Sequence, residues 1–114
     1  MENKRNIISN AQVIKKIVRH LNDVVSISDY DNRIYEAQKL VLEIKFQFRY
    51  QQNDHLFQTT AIWVLINIFR INPSWARTMM IECGIPSVLC EVLRNDSLAG
   101  ASKAYASELC RFLW

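Results

Sequence analysis

The chain has 114 residues, half of them hydrophobic, which is enough for one domain with a buried core. Two glycines and two prolines are too few for an all-β protein, which needs turn residues at regular intervals. Roughly two-thirds or more of the residues are therefore expected in helices, well above the globular average. A net charge of +3, spread along the chain with no basic run longer than Lys4-Arg5 or Lys15-Lys16, speaks for solvated helix faces rather than a nucleic-acid-binding stripe.

The first helix is expected to open at Ser9, where Ser9 and Gln12 have capping-box spacing. Ile7, Ala11, Ile14, Ile17, Val18, Leu21 and Val25 give its apolar face, with Lys15, Lys16, Arg19 and Asn22 opposite. A polar break rich in caps follows at 26–31. The second helix runs from about Tyr30 to Gln51 and buries Ile34, Ala37, Leu40, Val41, Ile44 and Phe48. Phe46 and Tyr50 widen that face, so cover on more than one side is expected. Asp54 is the N-cap candidate for a third helix, His55 to Ile71, which is nearly all apolar from Ala61 to Phe69 and so belongs at the centre.

Pro73 pushes Asn72 out of helical geometry and suits the first turn of a short helix, Ser74 to about Cys83. Gly84 stops that helix in the left-handed C′ position, and Pro86 starts the next, to about Arg94. Asn95-Asp96-Ser97 caps a last helix from about Leu98 to Trp114. Its first half is thin (Ala99, Gly100, Ala101, Ala104, Ala106), so a neighbour can approach closely, and Leu109, Phe112 and Leu113 supply bulk later.

Setting Leu65 over Leu109 gives a period of 44 residues, with Thr60 over Ala104 and Ile68 over Phe112. A period in the low forties suits helical solenoids of the armadillo or HEAT type. From about Thr59 to Trp114 the chain resembles the armadillo-repeat family, most closely importin-alpha-type repeats, in AIWVLINI (Ala61–Ile68) and ECGIPSVLCEVL (Glu82–Leu93). The Gly-Ile-Pro join between a short and a longer helix favours armadillo over HEAT. The resemblance implies an all-α fold, a short solenoid of about two repeats with residues 9–25 as an N-terminal cap. Solenoids normally need at least three repeats. The chain is therefore expected to be a piece of a longer stack, or to bind something at its open end, where Trp114 falls within an apolar stripe.

Trp63 and Asn67 lie one helical turn apart and share a face. An Asn amide can bond both the N–H and the C=O of one residue in an extended peptide, and a Trp ring gives an apolar wall for a Lys or Arg stem. In importin alpha such pairs repeat over successive helices and hold a basic nuclear localisation signal. Here the alignment puts Asn67 over Arg111 and Trp63 over Ser107, so there is one pair and no array, with only Asp54 and Glu108 as flanking acids. The opposing reading makes Trp63 a core residue and has Asn67 satisfy a loop backbone group. Arg70, Arg77 and Arg111 either line one side of a concave face, preferring an acidic partner segment, or are exposed arginines with no shared target.

No catalytic constellation is visible: Gly84 and Gly100 are isolated, and Glu36 and Glu43 with Lys39 between them read as charge pairing on a solvated face. Cys83, Cys90 and Cys110 have no metal-ligand spacing and read as buried free thiols, and His20 and His55 stand alone. No cofactor or metal is implied. The opening MENKRNIISN has no apolar core of a signal peptide, and no stretch is apolar enough to span a membrane, so a cytoplasmic or nuclear location is expected. The sequence thus reads as a non-enzymatic protein-binding module. Its partner-binding residues are Trp63, Asn67, Arg70, Arg111 and Trp114, and its partner is an extended peptide or a helix of another protein. The alternative is a scaffold that self-assembles through its Trp114 end. Nucleic-acid binding through Lys4, Arg5, Lys15, Lys16 and Arg19 is the least favoured reading.

Overall fold

A computed structural model describes residues 10–51, 54–95 and 100–114. Among the described residues there are six α-helices and no strand: α1 (Asn10–Ser26), α2 (Tyr30–Phe48), α3 (His55–Ile71), α4 (Pro73–Glu82), α5 (Ile85–Arg94) and α6 (Gly100–Leu113). Helix accounts for 88% of them, so the expected all-α class holds.

Local chemistry sets most of the boundaries. Asp29 caps α2 by accepting from Asn32 N–H at 2.9 Å, and Asp54 caps α3 by accepting from Phe57 N–H at 2.8 Å. Asn72 is extended (φ −158°), as the following proline requires, and its side chain accepts from Ser74 N–H at 3.1 Å to start α4. Gly84 is left-handed (φ 82°), and its N–H bonds to Ile81 C=O at 3.0 Å where α4 ends. The Ser9 cap and the 96–97 part of the Asn95-Asp96-Ser97 cap lie outside the described residues.

Helix α3 is the hub: it packs against α1, α2, α4 and α6. Helices α2 and α5 also touch each other, while α5 and α4 both pack on α6. The shortest dimension of the molecule is 20 Å, two helices of about 10 Å each. The buried side chains form one connected core running from Val13 to Leu113. Leu21, Leu65 and Leu109, spaced 44 residues apart, are all buried in it.

Two expectations about helix faces change. In α1 the buried row is Val13, Ile17, Leu21 and Val24, whereas Ala11 and Val25 are exposed. The apolar residues of α1 permit either stripe, and packing onto α3 and α2 selects the one centred on Ile17. In α2 the buried row matches the sequence reading closely, but Phe46 and Tyr50 are 52% and 62% exposed. The second side of α2 has no cover within the described residues.

The thin half of α6 works through Ser102 and Ala106, both buried, while Ala101 and Ala104 face solvent. Ser102 shares a hydrogen bond with Thr59 (Oγ–Oγ1 2.7 Å) and donates to His55 C=O at 3.2 Å. The Phe69 and Phe112 rings stack at 5.0 Å nearer the other end of the same helix pair.

Candidate functional site

Helix α3 is buried on most sides, as its apolar run requires, and one open strip remains. Ala61, Ile62, Val64, Leu65 and Ile66 are in the core, but Trp63 between them is 41% exposed. Asn67 is partly exposed on the same face, and its Nδ2 donates to Trp63 C=O at 2.9 Å. Its Oδ1 and second amide N–H make no hydrogen bond among the described residues. The reading of Trp63 as a core residue therefore fails. Asn67 does bond a backbone carbonyl, but one in its own helix rather than in a loop.

Arg70 continues the strip one turn further and reaches across to α6, where its guanidinium lies 3.7 Å from Glu108. Both groups face solvent, so this pair orients the two side chains and adds little stability. Arg70 is consequently matched by an acid of this chain and is not a free cation. Arg111 sits one turn beyond Glu108 and is exposed. Trp114, 69% exposed, follows the last residue of α6, and helical spacing continued to it puts it about 120° round from Glu108, off this face. Arg77 is on α4 and exposed. The structure thus aligns Trp63, Asn67 and Arg70 along α3 and brings Glu108 of α6 to their end. It leaves Trp114 apart.

Sequence reasoning missed Leu56, 61% exposed and one turn before Thr60 on the same strip. Its signal was an apolar residue beside the buried Phe57 in the first turn of a helix that otherwise hides its apolar groups.

The charged groups elsewhere pair locally. His20 Nε2 lies 3.1 Å from Glu36 Oε1, Lys39 lies 3.3 Å from Glu36, and Lys16 lies 3.7 Å from Glu43. The His20–Glu36 and Lys16–Glu43 contacts tie α1 to α2, while Lys39–Glu36 lies within α2; the hydrogen bond from His20 is the main reason the Glu36 carboxyl is held below its ordinary range. Lys15, Lys16 and Arg19 do not form an unopposed basic track, because Asp23, Glu36 and Glu43 interleave with them. Lys4 and Arg5 lie outside the described residues.

Of the three thiols only Cys83 is buried; Cys110 is half-buried and Cys90 exposed, which corrects the reading of all three as buried. Burial pushes the Cys83 thiol up against the opposing pull of Lys45, and burial likewise raises Cys110, so neither is an activated nucleophile. Among the described residues no cluster of three His, Cys, Asp or Glu side chains could hold a metal ion, and no helix is long and apolar enough to cross a membrane. No family model, no curated protein and no solved structure matches the chain.

Proposed function

We propose that the chain is a protein-interaction module of armadillo type that holds an extended peptide across the α3–α6 face. The observation that carries this reading is the exposure of Trp63 beside an Asn67 amide with hydrogen-bonding capacity to spare. In this reading Asn67 grips the peptide backbone, and Trp63 supplies an apolar wall for the side chain next to it. Arg70, Glu108 and Arg111 form a mixed-charge rim that sets the register of the peptide. The 44-residue recurrence of buried Leu21, Leu65 and Leu109 supports a short solenoid in which α1, α3 and α6 are equivalent helices. This gives α1 a place in the stack rather than the role of a cap. An importin-alpha-like adaptor, working in cytoplasm and nucleus, is the subclass that the Trp63–Asn67 pair names, without the repeated pockets of that family. The module is read as a binder and not an enzyme.

The test uses extended peptides selected on the chain from a random display library. Trp63→Ala and Asn67→Ala should each weaken binding by on the order of 1–2 kcal/mol, with an unchanged far-UV circular dichroism spectrum. Normal binding by both variants sinks the clamp. The exposure of Trp114 favours a second reading, self-assembly through the C-terminal end. Sedimentation analysis decides it: a monomer at all concentrations removes that reading.

A further inference from the structure

Helix α2 carries two apolar rows. One row, which includes Leu40, Ile44 and Phe48, is in the core. The other, Leu42 and Phe46 continued by Tyr50 two residues past the helix end, recurs at every fourth residue and is exposed, with Tyr35 exposed seven residues before Leu42. The Phe46 and Tyr50 rings rest on each other at 5.1 Å. Beside this row a groove of about 460 Å³ opens between α2 and α5, floored by Phe48 and Val88. It adjoins a second hollow of about 250 Å³ that shares Phe48, Val88 and Glu91.

The charges on the rim are unequal. Lys45 and Arg49 line the groove and Arg94 lines the hollow, against the single acid Glu91. None of these three cations is in an ion pair among the described residues. Glu36 and Glu43 of α2 are taken by His20 and Lys16 of α1 and by Lys39 of α2 itself. What the face lacks is apolar cover at helical spacing, flanked by negative charge.

We propose that the α2–α5 groove docks an acidic amphipathic helix of another protein, its apolar anchors set against Leu42, Phe46 and Tyr50 and its carboxylates against Arg49, Lys45 and Arg94. From Leu42 in α2 to Tyr50 just past its end the row is about two helical turns long, room for two turns of a partner. A second copy of this chain is a poorer occupant, because a two-fold contact doubles the cations and brings only one acid per copy. Nucleic acid fits less well too, because the Phe46 and Tyr50 rings meet at a 56° tilt 5.1 Å apart, which leaves no room for a base to stack between them. The site uses different helices from the Trp63–Asn67 face and stands independently of it.

A display library of helical peptides, apolar at i, i+4, i+7 and i+11 and randomised elsewhere, tests the proposal on the intact chain. Enriched peptides should be net acidic and should lose at least about tenfold in affinity on Phe46→Asp, whose exposed site leaves the fold unchanged by circular dichroism. Arg49→Glu with Arg94→Glu should shift selection toward basic peptides. The proposal is overturned if wild type enriches nothing over Phe46→Asp, or if the enriched peptides are not acidic. It is equally overturned if binding depends on Trp63 and not Phe46, or if sedimentation shows a dimer that Phe46→Asp dissolves. Single-stranded RNA bound through Phe46 would overturn it as well.

Discussion

Single residues decide where this chain turns and which groups it leaves exposed. Gly84 is held at φ 82°, and a Cβ added there would come within 2.8 Å of Lys45 Nζ. Gly84→Ala should therefore lower stability by about 1–2 kcal/mol, the left-handed penalty of an L-residue, with Lys45 swinging aside. An unchanged urea midpoint would contradict this. Glu36 has a pH signature. Its carboxyl is depressed chiefly by the His20 hydrogen bond and then by Lys39, from an ordinary value of 4.5. The contribution to stability is thus present above that value and is lost as pH falls through the lower folded value. Glu36→Gln should be less stable than wild type at neutral pH, and the two should converge in acid. A gap that persists in urea titrations well below the carboxylate range would show that the charge is not its source.

Helix pairs meet where small or polar residues permit it. The α3–α6 contact is closed at one end by Ser102 with Thr59 and the His55 carbonyl, and further along by the Phe69–Phe112 stack. Ser102 is fully buried, so Ser102→Ala leaves a carbonyl and a hydroxyl short of a partner and should cost about 1–3 kcal/mol. Thr59→Val with Ser102→Ala should cost less than the two single changes summed, because the remaining hydroxyl is gone too. Strict additivity in denaturation measurements would mean that the two hydroxyls are uncoupled. Helix α2 shows the converse: an apolar row that no element of the described chain covers, the face proposed to dock a partner helix.

Across the whole molecule, one connected core joins all six helices through α3, so unfolding should be a single cooperative transition. Leu65→Ala, at the fully buried centre, should lower stability by about 2–5 kcal/mol and move the circular dichroism and tryptophan fluorescence transitions together. Transitions that separate would mean that the α1–α2 and α5–α6 parts unfold independently. The proposed peptide face needs the same cooperativity, since it is built from α3 and α6 and its geometry depends on both helices remaining docked.

The amino-acid sequence by itself determined the helix order, most boundaries, the cap at Asp54, the break at Asn72 and the left-handed stop at Gly84, because these follow from local backbone chemistry within a few residues. It also determined that α3 is central, since a run apolar on all sides has nowhere else to go. Only the tertiary structure decided that Trp63 is exposed, that Arg70 is matched by Glu108 and that Phe46 and Tyr50 stay uncovered. In α1 and α2 the sequence offers two apolar stripes to a core that can cover one. Which stripe is buried depends on neighbouring helices far away in the chain, and periodicity within one helix carries no record of them.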